Sequence, residues 1–191
     1  MNTNSNSCGC QTELIEITGL CNPADTTQVI SLTPYWKQMY ISESLQIPTQ
    51  KPDVEQINSI DVSVNILRAE VIKTPRSYDD TGTVPVAQPN LEGRLLSGRT
   101  LIIEGQLCQK VVYTALETTQ PLHSAHFYVP FSAFIVVPET ITFGTVTEDS
   151  FNVNFDVNAC IEDVTASVID KRSILKQVTL MLYAVPTQSG C

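Results

Sequence analysis

The chain has 191 residues, a formal net charge of −9, 42% hydrophobic residues and only 16% charged residues. This length is typical of one all-β domain with a single core. The acidic balance argues against nucleic acid as a partner, because phosphate binding requires clustered Lys and Arg. The sequence contains no run of about 18 apolar residues, so no membrane helix is predicted. Its N-terminal region lacks the basic patch and the apolar stretch of a secretion signal. We therefore expect no membrane partner and synthesis in a cytosol.

In chain order, the sequence starts with a polar segment and continues with segments of strand periodicity. Residues 1–11 are mainly Asn, Ser, Thr and Gly and predict a flexible N-terminal arm. A short strand-like run ends at Gly19, residues 22–34 are rich in turn-forming residues, and residues 75–98 predict a long loop. Longer strands are predicted at 35–47, 60–74, 99–116, 122–137 with a candidate break at Pro130, 150–168 and 172–185.

The alternation within these strands predicts which face is buried. Apolar residues from Phe151 to Ile161 alternate with polar residues and with Cys160. Because strand side chains alternate between faces, Cys160 is predicted to face water, and the same reasoning places Cys108 outward. We predict an antiparallel, jelly-roll-like β-sandwich of about 7–9 strands, an all-β fold. The arm would precede a single domain over residues 12–191.

The six cysteines lie where a folded domain has least use for them. They are Cys8 and Cys10 in the arm, Cys21 in a predicted turn, Cys108 and Cys160 on predicted outer faces, and Cys191 at the end of the sequence. A thiol on a tail or an outer face can meet another molecule, whereas a thiol buried for packing is inert. All six are therefore candidates for disulfides between subunits. For Cys21 and Cys191 an intrachain disulfide is a second option, and the sequence leaves the pairing open.

Crosslinking is not the only role that the sequence allows for these residues. The Cys8-Gly9-Cys10 pair lacks the four ligands and the spacing that zinc prefers, so no metal site and no cofactor are predicted. No arrangement typical of catalysis is present, which predicts that the protein is not an enzyme. A polar tail whose thiols have no role is the remaining alternative.

Three segments resemble a known family. They are IPTQKPDVEQINSIDVSVNI at 47–66, LIIEGQLCQKVVYTA at 101–115 and HSAHFYVPFSAFIVVPE at 123–139. With the final strand, the resemblance to the SipL-type SPOCS domain of spore-coat and spore-morphogenesis proteins covers roughly residues 42–185. The resemblance implies a β-rich assembly domain of endospore-forming bacteria with no catalytic residues. The cysteine-bearing arm resembles, in layout only, the pilin-like subunits of spore appendages.

Together these observations predict a structural subunit of a spore-surface appendage or coat layer. Its partners would be copies of itself, in a homopolymer such as a fibre, and other spore-coat proteins are a further candidate. It would be made in the mother-cell cytoplasm and form its disulfides after release to an oxidising exterior. In the predicted mechanism, the arm of one copy pairs with an exposed sheet edge of another, and disulfides then lock it. The alternatives are a coat adaptor that binds a different morphogenetic protein and a cysteine-based metal-binding module.

Overall fold

The protein is an all-β sandwich, as the strand pattern predicts. The computed structural model describes residues 15–83, 96–119 and 121–188. Its elements are β1 (Glu16–Thr18), α1 (Pro23–Leu32), β2 (Trp36–Gln46), β3 (Val54–Arg76), β4 (Ser97–Ala115), β5 (Leu122–Val136), β6 (Thr140–Phe143), β7 (Val146–Asp149), a short 3-10 helix (Ser150–Asn152), β8 (Asn154–Asp170) and β9 (Ser173–Thr187). The predicted arm, residues 1–11, lies outside the described residues.

The strands form two main sheets that face each other. Sheet A has the order β1-β3-β4-β5, and sheet B has the order β2-β9-β8. All neighbouring strands are antiparallel except β1, which runs parallel to β3. β3 lies beside β8 and β2 lies beside β5, so that β4 and β9 occupy the centres of the two layers. β6 and β7 form a separate hairpin at one end of the sandwich.

The core lies between the two sheets and follows the predicted alternation. On β4 the fully buried side chains include Leu107, Val111 and Tyr113, which occupy alternate positions. On β9 the same pattern runs through Ile174, Val178, Leu180 and Leu182. Each of these large apolar side chains stabilises the fold by about 1.5–3 kcal/mol relative to exposure. The register of β3 against β4 shifts between Ile66 and Arg68, which marks a β-bulge or a similar irregularity.

Two elements differ from the sequence-based expectations. Residues 22–34, expected to be turns, contain helix α1, because the Asn22 side chain caps it by accepting from the Ala24 N–H at 3.0 Å and Pro23 occupies its first position. β5 continues through Pro130 without a break. Because β5 is an edge strand, proline can lie there without removing a hydrogen bond from the sheet interior.

The connection between β2 and β3 is fixed by one arginine. Arg172, in the turn between β8 and β9, binds Asp53 at 2.6 Å and donates to the carbonyl oxygens of Ile47, Pro48 and Lys51. The hydroxyl of Tyr113 donates to the Pro52 carbonyl at 3.1 Å. The Lys51-Pro52-Asp53 segment therefore closes one end of the sandwich and leads directly into β3.

Candidate assembly site

Cys21 and Cys160 form a disulfide within one chain. Their Cα atoms are 5.5 Å apart although they lie 139 residues apart in the sequence. The Cys21 N–H donates to the Ile161 carbonyl at 2.9 Å, which places Cys21 against the edge of β8. The prediction of Cys21 and Cys160 as intersubunit crosslinks is therefore wrong, because each sulfur is bonded to the other.

The prediction that Cys160 is exposed to water is also wrong. Its side chain does point away from the main core, but only 6% of it is exposed. Cys160 and Met181 form a small second cluster with Cys21 and Tyr183 packed against it. Cys21 and Tyr183 pack against this patch, which alternation within β8 could not reveal.

Cys108 is the free cysteine of the part of the chain that the structure describes. It lies on the outer face of sheet A, between Ser63 of β3 and Tyr128 of β5, and it is half-buried. Its outward orientation is as the alternation predicts. The adjacent Tyr128 is 63% exposed, so the thiol lies beside a large apolar side chain on the surface.

The other three cysteines predicted as crosslinks, Cys8, Cys10 and Cys191, lie outside the described residues. Their pairing therefore stays a prediction.

β3 presents a long edge beyond the point where β1 ends. β1 pairs only with Ser59–Asp61, and no other described strand pairs with this side of β3 from Val62 to Arg76. The chain leaves the edge at Gly19, whose φ is +94°. A Cβ at Gly19 would lie 1.9 Å from the Val62 carbonyl oxygen, so glycine is required for this close approach.

Two cavities follow this edge of β3, where it lies beside β8. The first has a volume of about 460 Å³ and is lined by Cys21, Val62, Val64, Ile66 and Val157, among others. The second, about 480 Å³, lies farther along β3. Its lining includes Ala69, Val71, Leu101, Phe151 and Phe155. Unpaired strand edges accept added strands, and cavities beside them accept side chains of the added strand. We call Val62–Arg76 with these two cavities the β3 edge groove.

Charged side chains hold the far end of the β3 edge groove. Arg99 contacts Asp149 at 3.2 Å and Glu139 at 3.7 Å, and Arg76 also pairs with Glu139. The Arg99 guanidinium lies 4.2 Å from the centre of the Phe151 ring. The hydrogen bond from the Phe151 N–H lowers the pKa of the Asp149 carboxyl, and the hydrogen bond and charge of Arg99 lower it further. This cluster fixes the β6–β7 hairpin and positions Phe151 in the second cavity.

The geometry separates the β3 edge groove from Cys108. Cys108 lies on β4, one strand in from each edge of the sheet formed by β3, β4 and β5. A strand added beside β3 or β5 would lie about 10 Å from β4, since neighbouring strands are about 4.8 Å apart. Disulfides require Cα atoms within about 7 Å. A segment that bonds to Cys108 must therefore cross the outer face of sheet A.

No metal site or membrane span is found in the described ranges. There, no group of three or more His, Cys, Asp or Glu side chains is placed to hold a metal ion. No described helix has both the length and the apolar character needed to cross a bilayer.

The comparison with protein families gives one match. The family model described as SipL, SPOCS domain matches residues 53–169, from the start of β3 to the end of β8. The chain belongs to this family. SPOCS membership makes it a spore-related protein and confirms the resemblance found in the sequence. No curated protein and no solved structure matches the chain.

Sequence reasoning found the outward thiol of Cys108 but missed the β3 edge groove and the Cys21–Cys160 pair. The groove arises because β1 is only 3 residues long whereas β3 has 23. Gly19, directly after a short strand-like run, was the available signal for the end of β1. No signal in the sequence placed Cys21 beside β8.

Proposed function

We propose that this SPOCS protein is a structural, non-enzymatic subunit that assembles with copies of itself in an appendage or coat layer of the spore surface. The observation that carries the proposal is the β3 edge groove. A long unpaired strand edge beside two cavities is a docking site that most proteins cover or blunt. The occupant we propose is the segment formed by residues 1–14 of a second copy.

The composition of this segment supports the assignment. Residues 1–12 contain no Asp, Glu, Lys or Arg, whereas the whole chain carries a net charge of −9. Because Glu13 is the one charged side chain of residues 1–14, this segment approaches an acidic neighbour with little like-charge repulsion. Fourteen extended residues span about 46 Å, which is close to the length of the groove strand.

Disulfides would then fix the docked segment. With Cys21 and Cys160 bonded to each other, the thiols left for crosslinks between copies are those of Cys8, Cys10, Cys108 and Cys191. If the segment alternates as a strand, Cys8 and Cys10 point to the same side. Because Cys108 is too far from either edge of its sheet, a bond to it requires that this part of the segment leaves the groove and crosses sheet A. An open, head-to-tail repetition of this contact produces a fibre.

The test is assembly of the purified full chain under oxidising and reducing conditions. We expect a ladder of multimers on non-reducing gels and extended particles by negative-stain imaging, both lost on reduction. The Cys8→Ser, Cys10→Ser double variant should lose the ladder. Cys191→Ser is the comparison variant, because it removes one cysteine while it leaves both arm thiols in place.

A double variant that assembles and resists denaturant like the parent would contradict the arm mechanism. A parent that stays monomeric under oxidising conditions would contradict self-assembly and favour an adaptor for a different spore-coat protein. Zinc bound to protein purified under reducing conditions would favour a metal-binding module instead.

A further inference from the structure

Three polar side chains meet in the core between the two sheets. They are Glu43 on β2, Gln109 on β4 and Lys176 on β9. Lys176 is 0% exposed, Gln109 is 3% exposed, and the Glu43 side chain is 8% exposed. Glu43 and Lys176 are directly opposite each other in sheet B, and Gln109 reaches them from sheet A. The neighbours along the strands are apolar: Ile174 and Val178 on β9, and Leu107 and Val111 on β4, all fully buried.

One carboxylate oxygen joins the three groups. The Lys176 Nζ lies 2.7 Å from Glu43 Oε1, and the Gln109 Nε2 donates to the same oxygen at 2.8 Å. The other oxygen of Glu43 and the amide oxygen of Gln109 are buried and have no hydrogen-bond partner among the described residues. Buried oxygens without partners are costly, so this cluster is unusual for the core of a folded domain.

The environment also changes the chemistry of the amine. Burial lowers the pKa of Lys176, although the hydrogen bond and charge of Glu43 oppose this shift. In a dry site, transfer of one proton from the ammonium to the carboxylate removes two buried charges. A neutral, desolvated lysine amine is a good nucleophile. The electrophile beside it is the amide carbon of Gln109, whose Nε2 donates a hydrogen bond to the same Glu43 Oε1 that Lys176 contacts.

We propose that Lys176 and Gln109 form an intramolecular isopeptide bond, with Glu43 as the proton carrier. The inference is independent of the proposed function, because it rests only on side chains inside one copy. It assigns a covalent self-modification to the core of the sandwich.

The step balances without an oxidant or a cofactor. Glu43 accepts a proton from the Lys176 ammonium, and the neutral Nζ attacks Gln109 Cδ. Glu43 then passes a proton to Gln109 Nε2, the Cδ–Nε2 bond breaks, and ammonia leaves. The Nζ of the new Nζ–Cδ amide then gives its second proton to Glu43, and Glu43 passes this proton to the departing ammonia. The leaving group is therefore released as ammonium, and Glu43 returns to its carboxylate form.

The bond would connect the central strands of the two layers. β4 lies within sheet A and β9 lies within sheet B, so the two sheets could no longer separate without breaking a covalent bond. This crosslink would hold the sandwich closed across its core, away from the Cys21–Cys160 disulfide at the edge of β8.

The decisive measurement is the intact mass of the folded, full-length protein after complete reduction. We expect a mass lower than the sequence mass by one molecule of ammonia. Trypsin should release a branched peptide in which residues 100–110 are joined to residues 173–191, with no cleavage after Lys176. An unmodified mass, with cleavage after Lys176, would overturn the proposal and leave a buried ion pair.

Variants distinguish this bond from ammonia loss elsewhere in the chain. Lys176→Arg and Glu43→Gln should both show the full sequence mass. Glu162→Gln, which changes a glutamate on the outer side of β8, should retain the loss. Ammonia loss that persists in Lys176→Arg would also overturn the proposal. A core variant that fails to fold does not affect the test, because the mass of the parent protein decides it.

Discussion

A single glycine determines where the β3 edge groove begins. Gly19 has a φ of +94°, and a Cβ there would lie 1.9 Å from the Val62 carbonyl oxygen. Gly19→Ala should therefore destabilise the protein through both backbone strain and a clash with β3. Gly144→Ala is the matched control, because Gly144 has a φ of +61° and a Cβ there would meet no atom within 4 Å.

We expect Gly144→Ala to cost about 1–2 kcal/mol of unfolding free energy, the usual strain of a left-handed residue. Gly19→Ala should cost about 1–3 kcal/mol more, because the main chain must move to admit the Cβ. Urea unfolding followed by circular dichroism measures both. Equal midpoints for the two variants would show that β1 does not depend on this contact.

Asp149 makes the stability of the hairpin end depend on pH. Its carboxylate caps the 3-10 helix by accepting from the Phe151 N–H at 2.9 Å, and it binds Arg99 at 3.2 Å. These contacts lower its folded-state pKa, with the Phe151 N–H the larger cause. The stabilisation is therefore complete above the unfolded pKa of about 4 and is lost as pH falls through the lower folded value.

Asp149→Asn should lower the melting temperature near neutral pH but flatten its decline in acid. Thermal unfolding at a series of pH values between 2 and 7 measures how steeply the melting temperature declines in acid. Carboxyl groups and His titrate in this range. Asp163→Asn, on an exposed position of β8, should keep the parent's slope. A parent-like acid decline in Asp149→Asn would show that this cap does not contribute to the acid sensitivity.

At the scale of elements, the long strands were predictable from the sequence, whereas helix α1 and the short β6–β7 hairpin were not. Alternation located β2, β4, β5, β8 and β9 within a few residues, because each has one face on the core. Helix α1 was missed although Asn22 and Pro23 form a helix start, since the following residues are not strongly amphipathic. The β6–β7 hairpin was missed because two strands of 4 residues are too short to show a period.

The β3 edge groove allows a test of docking that does not depend on disulfides. A synthetic peptide with the sequence of residues 1–14, with Ser in place of both cysteines, should bind the full-length Cys8→Ser, Cys10→Ser protein. Ile66→Lys should weaken that binding, because Ile66 lines the first cavity and a charge there would be desolvated. Asn65→Lys, one position away and exposed, adds the same charge and should have little effect.

Fluorescence anisotropy of a labelled peptide gives the affinities. Equal affinity for the Ile66→Lys and Asn65→Lys proteins would place the docking surface elsewhere. Absence of saturable binding to any of the proteins would remove the groove from the assembly mechanism.

At the scale of the whole molecule, the sequence correctly indicated an all-β sandwich. It could not indicate which cysteines pair within the chain and which remain free. Cys160 illustrates the reason. Its face was predictable from the period of β8, but its burial depends on Cys21, 139 residues away in the sequence. Contacts between distant segments are set by tertiary packing, which a local period does not encode.

The disulfide-bonded cysteines and the free Cys108 should have different effects on stability and on multimer formation. Cys21→Ser with Cys160→Ser should lower the unfolding free energy by about 2–5 kcal/mol, because it releases a long closed loop in the unfolded chain. Cys108→Ser should leave stability unchanged, since it removes a half-buried free thiol, but should reduce the disulfide-linked multimers. Urea midpoints and non-reducing gels on the same samples measure both effects. In the reverse result, the Cys21→Ser, Cys160→Ser variant would lose the multimers and Cys108→Ser would keep them. Copies would then be joined by exchange with the intrachain disulfide and not through the outer face of sheet A.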